Sequence, residues 1–318
     1  VTLIGRPRVL DPMKKDGLTL ASPRGVESIA KPRIITDSEG VDERFDVVLL
    51  TVKAYSVVES ISAVRRILND EGIVVSFQNG VGTDKLLVDA FGAERVLAAT
   101  STVSVGIDMP AKVQQYTRNG GLAWAAYDAG VTAGVAALFR LTGLEVAHIS
   151  LPESLKWSKL LLNAVGSAQC AILQIDMAQI AGDRRLFAVE QRAFRETLTV
   201  MQAARIPVVD LPGYLVRWAA FTLGLPTPIA RASIGRRMAR GRGGKPPTLR
   251  GDVSRGGPTE NEFLNGATAR LARELNVAAP INTALAAIVD EVTASQEMLH
   301  SFSHNPDALL ERLGRLVN

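Results

Sequence analysis

The first half of the chain alternates short runs of β-branched residues with segments of helical spacing, and this alternation is typical of a parallel α/β sheet. The runs predict strands over 1–4, 46–53, 72–78, 95–103 and 144–149. Helices are predicted over 54–68 and 83–92, and two short strands between 112 and 127 are predicted to extend the sheet in an antiparallel direction. Parallel strands need long crossover connections, which are usually helices. We therefore predict that helices cover the sheet of this half.

Near residue 151 the pattern changes, and almost every later segment predicts a helix. The predicted helices cover 154–175, 184–205, 211–223, 259–276 and 280–299. A segment rich in Gly, Pro and Arg, 235–257, is predicted to be an irregular connection. The fold class is therefore α/β, with a Rossmann-like parallel-sheet domain over 1–150 followed by an all-α domain over 151–318.

The composition excludes several classes of protein. With 47% hydrophobic and 21% charged residues the chain is globular, and no run of about 18 apolar residues predicts a membrane span. A single cysteine, Cys170, and three scattered histidines leave no disulfide and no metal cluster, so we predict no metal and a reducing, cytoplasmic location. The net charge of +4 favours anionic partners without choosing among nucleotides, acids and nucleic acid.

Polar side chains follow three of the predicted strands. Arg6 comes just after the first strand, Lys53 ends the second, and Asn79 follows the third. Ligands of open parallel sheets bind outside the carboxyl ends of the strands, where a cationic side chain meets the 2′-phosphate of NADP. Arg6 therefore predicts NADP(H) rather than NAD(H) as the cofactor.

The glycine fingerprint of dinucleotide-binding folds, G-x-G-x-x-G, does not occur in this sequence. The chain begins with Val1 in a strand already under way, which looks like the second strand of such a fold. We therefore expect the Rossmann-like domain to be truncated at its N-terminus, without the first strand, the glycine loop and any targeting signal.

A polar line runs along the segment KWSKLLLN in the second half. Lys159 and Asn163 are four residues apart and share a helix face, and Ser167 extends the line by another turn. The remaining positions are apolar, so the helix is predicted to be buried, and a buried ammonium must face partners or a cleft. The alternative is a lysine that reaches solvent beside a surface asparagine.

The segment PTENEFLNG predicts the start of another helix. Thr259 is the predicted N-cap and Glu262 completes a capping box, which puts Glu260 in the first turn. There the helix dipole stabilises a carboxylate, and this alone would explain Glu260. The functional alternative is a carboxylate at a cleft that orients Lys159.

Four motifs, LTVKA at 50–54, FQNGVGT at 77–83, KLLLN at 159–163 and TENEFLNG at 259–266, occur in this order along the chain. In that order and at those intervals they resemble the ketopantoate reductase family, the NADPH-dependent 2-dehydropantoate 2-reductases. The resemblance covers essentially the whole chain. It implies NADP(H)-dependent reduction of ketopantoate to pantoate, a step of pantothenate synthesis.

The resemblance also implies roles for single residues. Lys159 would be the general acid that protonates the 2-oxo oxygen, and Glu260 would bind substrate and hold the lysine. The implied substrate-binding residues are Asn163, Ser167 and Thr248. The implied cofactor-binding residues are Arg6, Lys53, Asn79 and Glu260.

One departure from the family leaves the substrate open, because Ser167 stands where the family commonly has a second asparagine. A related NADP-dependent reductase of another 2-oxo acid or of a β-hydroxy acid is therefore an alternative, as is a non-catalytic NADP-binding protein. We expect a small 2-oxo acid as the partner, no membrane, and a possible homodimer formed through exposed apolar helices.

A basic segment suggests a nucleic-acid-binding protein as a further alternative. Its cationic residues are Arg231, Arg236, Arg237, Arg240, Arg242 and Lys245. No aromatic residues alternate with them and no nucleic-acid-binding motif is present, so no nucleic acid partner is predicted.

Overall fold

The computed structural model of the protein describes residues 1–23, 25, 27–36, 40–128, 130, 132–240, 243 and 245–317. The first half supplies the strands. In chain order these are β1 (Thr2–Ile4), β2 (Leu18–Ala21), β3 (Glu27–Ala30), β4 (Arg33–Ile35), β5 (Phe45–Leu50), β6 (Leu68–Ser76), β7 (Val96–Ser101), β8 (Val105–Met109), β9 (Lys112–Gln115), β10 (Gly121–Ala126) and β11 (Glu145–His148). The helices between them are α1 (Pro7–Asp16), α2 (Val57–Ile67), α3 (Thr83–Phe91) and α4 (Thr132–Arg140).

The main sheet has the strand order β11-β10-β7-β6-β5. Strands β5, β6 and β7 run parallel to one another, and β10 runs antiparallel to β7. The carboxyl ends of the three parallel strands, at Leu50, Ser76 and Ser101, therefore lie at one edge of the sheet, which we call the carboxyl edge. A parallel sheet with helical crossovers confirms the predicted Rossmann-like fold class.

The outer strands differ from the prediction. Strand β1 pairs in parallel with β4 in a separate two-stranded sheet, and β2, β3, β8 and β9 form a third sheet. The predicted pair of strands between 112 and 127 exists, but only β10 extends the main sheet antiparallel, because β9 pairs with β2 and β8 instead. Helix α1 was not predicted, since it contains Pro12 and buries only Leu10 and Met13.

The second half is helical, as predicted. Its helices are α5 (Pro152–Ala164), α6 (Ser167–Leu173), α7 (Met177–Gly182), α8 (Arg184–Ala203), α9 (Val216–Gly224), α10 (Thr227–Arg240), α11 (Thr248–Ser254), α12 (Asn265–Glu274), α13 (Pro280–Ala294), α14 (Gln296–Phe302) and α15 (Pro306–Val317). None of the helices in the described ranges is long and apolar enough to cross a bilayer.

Two predicted boundaries in this half are wrong. The helix predicted over 154–175 breaks at Gly166, whose positive φ of 69° ends the helical path and whose N–H donates to Glu190 Oε2 at 2.7 Å. The segment 235–257, predicted to be irregular, holds the end of α10 and the whole of α11. Its arginines lie mainly on these helices, where a side chain can face solvent without disturbing the backbone.

The predicted capping box is also wrong. A short 3₁₀ turn, Asn261–Phe263, occupies the place of the first helical turn, and the side chain of its N-cap residue, Glu260, does not cap it. The Thr259 hydroxyl accepts a hydrogen bond of 3.3 Å from the Asn261 N–H, whereas Glu262 forms an ion pair with Arg270 at 3.2 Å. The tight turn directs Glu260 inward, where its side chain is only 7% exposed.

Helix α5 packs directly on the main sheet. Ala98 of β7 and Ala123 and Ala125 of β10 are fully buried in the same hydrophobic cluster as Leu155 and Leu160 of α5. Alanine side chains are short, so the helix axis can approach the strands closely. The helical core thus includes strand residues, and the division into two domains at 150/151 stays a prediction.

A buried lysine at the start of α5 fastens the helix to the sheet. Lys156 is 3% exposed, and its Nζ donates to the carbonyl oxygens of Ser76, Gln78 and Ala99 at 3.1, 3.1 and 3.0 Å. The buried carboxylate of Asp84 lies 3.4 Å from the same atom. Burial lowers the pKa of Lys156, and the negative charge of Asp84 opposes this shift. The three carbonyl oxygens match the three N–H bonds of an ammonium.

Lys156→Met tests this connection. The substitution removes the ammonium and leaves the Asp84 carboxylate as an unpaired buried charge, so we expect the free energy of unfolding to fall by about 3–5 kcal/mol. Urea denaturation followed by near-UV circular dichroism measures the change.

The matched control is Lys85→Met on α3, because Lys85 is exposed and its loss should change the free energy of unfolding by no more than about 0.5 kcal/mol. The double variant Lys156→Met/Asp84→Leu should recover most of the lost stability, since it removes both buried charges together. Equal unfolding midpoints for Lys156→Met and Lys85→Met would contradict the role of the buried pair.

Candidate active site at the carboxyl edge

Lys53 and Glu260 meet just beyond the end of β5. Lys53 Nζ donates to Glu260 Oε2 at 3.2 Å and to Asp252 Oδ2 at 2.9 Å. The other oxygen of Glu260 accepts a 3.1 Å hydrogen bond from the backbone N–H of Ala54. The carboxylate of Glu260 thus holds both the side chain and the backbone of the segment that follows β5.

The charges in this cluster favour one another. Burial alone lowers the pKa of Lys53, but the attraction of Glu260 and the hydrogen bonds and charge of Asp252 outweigh it, so the net pKa is raised. Lys53 is therefore a cation at neutral pH. Asp252 also pairs with Arg255, so both of its oxygens have a cationic partner.

Asp252 was missed by the sequence analysis. It lies on α11, inside the segment that was predicted to be irregular, and a single acid in such a segment gives no signal of a buried ion pair. Thr248 lies four residues earlier on the same helix, so the two share a face of α11, and Thr248 is exposed at the first position of that helix.

Lys159 and Asn163 both reach the carboxyl edge from α5. Lys159 Nζ donates to the carbonyl oxygen of Ser101, the last residue of β7, at 2.7 Å. Asn163 Nδ2 donates to Asn79 Oδ1 in the loop after β6 at 3.0 Å. The predicted shared face therefore lies against the sheet, and the Lys159 ammonium is directed at a strand end rather than into bulk solvent.

Ser167 lies beside Asn163, but on the next helix. Because the chain breaks at Gly166, Ser167 begins α6, and its hydroxyl donates to the backbone carbonyl of Asn163. The side chain of Ser167 is buried. It therefore supports the end of α5 in addition to any contact with a ligand.

The loop after β6 is fastened to the turn that carries Glu260. Val81 N–H donates to the Phe263 carbonyl at 3.0 Å, and Gly80 has a positive φ of 86°. A Cβ atom at Gly80 would lie 2.4 Å from the Phe263 carbonyl oxygen, so only glycine fits there. Asn79 and Glu260 are thereby held in a fixed relation.

The structure links most of the predicted site residues by direct contacts, but it leaves Arg6 apart from them. The contacts form two groups, Lys53 with Glu260 and Asn163 with Asn79 and Ser167, while Lys159 contacts the carbonyl of Ser101. Arg6 is exposed in the short connection between β1, which belongs to the separate two-stranded sheet, and α1. The carboxylate of Glu260 contacts Lys53 and Ala54, so its predicted contact with Lys159 stays a prediction.

The carboxyl edge fits an anionic dinucleotide. Lys53 is partly exposed and Asn79 is exposed, so a cation and an amide are accessible where nucleotides bind on parallel sheets. Arg6 adds a second exposed cation on the same half of the chain. These donors match the phosphate, hydroxyl and amide groups of a dinucleotide, and Asn163 of α5 is hydrogen-bonded to one of them, Asn79.

Three of the basic residues of 231–245 contact nearby groups. Arg231 Nε donates to the Ala181 carbonyl at the end of α7 at 3.0 Å, and Lys245 donates to the Val105 carbonyl. The guanidinium of Arg237 lies 4.6 Å from the ring centre of Trp218. Arg242 lies outside the described residues.

The sequence matches two family models. Residues 1–129 match the model described as ketopantoate reductase PanE/ApbA, and residues 153–293 match the model described as ketopantoate reductase PanE/ApbA C terminal. A 2-dehydropantoate 2-reductase of Halobacterium salinarum is 28% identical over 298 residues, which cover 91% of this chain and 89% of that protein.

Two solved structures are similar to this fold. A PanE/ApbA family ketopantoate reductase from Ralstonia eutropha has a TM-score of 0.76 and 24% identity, with 93% of this chain and 91% of that chain covered. A ternary structure of D-mandelate dehydrogenase with NADH and anilino(oxo)acetate has a TM-score of 0.77 and 20% identity, with 94% and 92% covered.

The two matched segments together span most of the chain, and the parallel sheet, the helical second half and the linked polar residues agree with them. The protein belongs to the ketopantoate reductase family, and it is an oxidoreductase that uses NADP(H) and acts on CH–OH donors.

Proposed function

We propose that this protein reduces a 2-oxo acid with NADPH, with Lys159 as the general acid. Our first candidate substrate is 2-dehydropantoate, which the names of its relatives indicate and which would place the enzyme in cytoplasmic pantothenate synthesis. The observation that carries the proposal is the Lys159 ammonium, 2.7 Å from the carbonyl oxygen at the end of β7. It is supported by the Asn163–Asn79 hydrogen bond of 3.0 Å beside it.

The proposed reaction requires a proton donor whose position is fixed. When bound, the nicotinamide supplies hydride to the 2-oxo carbon. Negative charge then develops on the 2-oxo oxygen, and the Lys159 ammonium stabilises that charge and donates the proton. Its hydrogen bond to the Ser101 carbonyl is a resting contact that a substrate oxygen can replace without a change of backbone.

The neighbouring residues bind the substrate or position other residues of the site. Asn163 offers its amide to the substrate from the same helix face, and Thr248 offers an exposed hydroxyl to the substrate carboxylate. Glu260 fixes Lys53 and the backbone of Ala54, so it acts on the cofactor side of the cleft through these contacts. We retain Glu260 as a candidate for direct substrate contact and for orienting Lys159.

A second candidate function is reduction of another 2-oxo acid. It is favoured by Ser167, which replaces the second asparagine expected from the family resemblance and whose hydroxyl is used in a bond to the Asn163 carbonyl. We also propose a homodimer, supported by the large exposed apolar side chains Phe221 and Ile229, which are 69% and 52% exposed.

Lys159→Met tests the general acid. The variant keeps the length and packing of the side chain but has no proton to donate, so we expect kcat to fall about 100-fold or more. NADPH oxidation with 2-dehydropantoate measures the rate, and NADPH binding, followed by its fluorescence, should change little. The control is Lys85→Met, and a Lys159→Met enzyme as fast as that control would remove Lys159 from the mechanism.

Arg6→Gln tests the cofactor preference. If the Arg6 guanidinium binds the 2′-phosphate, its loss should raise KM for NADPH about 10-fold or more, because a charged hydrogen bond is removed. The KM for NADH should not change. Lys15→Gln is the matched control, since this lysine is exposed near the other end of α1. Equal changes in the KM for NADPH in the two variants would show that Arg6 does not bind the 2′-phosphate.

A further inference from the structure

A large apolar cavity lies beside the candidate active site, in the helical half. It measures about 560 Å³ and lies among α5, α8, α9 and α10. Sites for small molecules are mostly apolar and measure about 300–1000 Å³, so this cavity has the size of a ligand site. Its buried apolar lining is formed by Leu161, Phe194, Leu223, Ile234 and Met238.

The cavity adjoins the helix that carries the proposed catalytic residues. Leu162 of α5 and Val165, just after its end, line the cavity, and so do Asn119 and Gly213. Met177, the first residue of α7, lines it as well and packs against Gly166 at the break between α5 and α6. The Pro212 carbonyl, next to Gly213, accepts a 2.6 Å hydrogen bond from the hydroxyl of Thr102, the residue after Ser101. Because the Ser101 carbonyl holds the Lys159 ammonium, a substrate bound at Lys159 can extend its side chain toward this wall.

Three arginines form part of the cavity wall on α10. Arg236, Arg237 and Arg240 are exposed and line the cavity, and Arg237 stacks on Trp218 of α9. Among the ion pairs of the described residues, none involves these three guanidinium groups. Unpaired arginines next to an apolar lining favour a ligand whose apolar body ends in an anionic group.

We infer that this cavity receives the side chain of the substrate, and that the substrate is a 2-oxo acid with a long apolar chain and a second, distal anionic group. The inference rests on the proposed reduction of a 2-oxo acid and favours its second candidate, a 2-oxo acid other than 2-dehydropantoate. The 2-oxo carboxylate end lies at Lys159 and Asn163, the apolar chain lies along Leu162 and Val165, and the distal anion meets the arginines.

Three 2-oxo acids test the long apolar chain and the distal anionic group separately. 2-Oxobutanoate has a short chain, 2-oxooctanoate is four methylenes longer, and 2-oxooctanedioate has the longer chain with a distal carboxylate. Each buried methylene contributes about 4-fold, so kcat/KM should be about 100-fold or more higher for 2-oxooctanoate than for 2-oxobutanoate. The distal carboxylate should make kcat/KM for 2-oxooctanedioate about 10-fold higher than for 2-oxooctanoate. The gain is no larger because the arginines are exposed to solvent, which weakens their attraction for the carboxylate.

Two variants test the cavity itself. Ala219→Phe places a ring in the cavity and should lower kcat/KM for both eight-carbon acids at least about 10-fold, with 2-oxobutanoate unchanged. Arg236→Gln/Arg240→Gln should abolish the advantage of the dioate and leave 2-oxooctanoate unchanged. The control Ala232→Phe adds the same ring to an exposed position of α10 that does not line the cavity.

The outcomes distinguish this inference from the proposed function. Reduction of all three acids at equal kcat/KM, or an unchanged preference in Ala219→Phe, would overturn the cavity assignment while the reductase proposal stands. A dioate poorer than 2-oxooctanoate would overturn the distal anion. If neither these acids nor 2-dehydropantoate is reduced, the proposed function fails. Trp218 fluorescence with added 2-oxooctanedioate then tests the cavity, with Trp218→Phe as the reference. Quenching supports the cavity assignment and an unchanged signal overturns it.

Discussion

The seating of α5 on the carboxyl edge of the sheet is the constraint on which the site depends. Two ammonium groups, three residues apart on one helix, donate to backbone carbonyls at the ends of neighbouring strands. Lys156 is fully enclosed and paired with Asp84, whereas Lys159 is only partly buried. Because a buried ammonium must satisfy all its N–H bonds, the first lysine fixes the height and rotation of the helix. The second is thereby left at the strand end on the Ser101 carbonyl, where we propose that it meets the substrate.

A second connection crosses between the halves of the chain at β5. Glu260 and Asp252 come from the helical half and hold Lys53, which follows the neighbouring parallel strand. The loop after β6 is fixed in the same way through Gly80, which fits against the Phe263 carbonyl only because it has no Cβ. The candidate site is therefore built on strand ends and helices whose positions are determined by buried contacts, which is what precise orientation of a proton donor requires.

Sequence alone predicted the fold class and the polar face of α5, because hydrophobic periodicity records which side of an element is buried. It could not single out Lys156, whose partners are carbonyls 57 to 80 residues away and carry no side-chain signal. The break at Gly166 was hidden because apolar residues continue on both sides of it. Asp252 was missed because the Gly- and Arg-rich composition around it masked α11, and the pairing of β1 with β4 depends on tertiary context that short strands do not encode.

The central claim is that Lys159 delivers a proton at the place where the cofactor's reactive ring and the substrate meet. A crystal structure of the protein with NADP⁺ and a 2-hydroxy acid product tests it most directly. The account predicts that Lys159 Nζ leaves the Ser101 carbonyl and lies within hydrogen-bond distance, about 3 Å, of the 2-hydroxyl oxygen, with Asn163 on the same ligand. A product bound away from α5, with Lys159 still donating to Ser101, would contradict it.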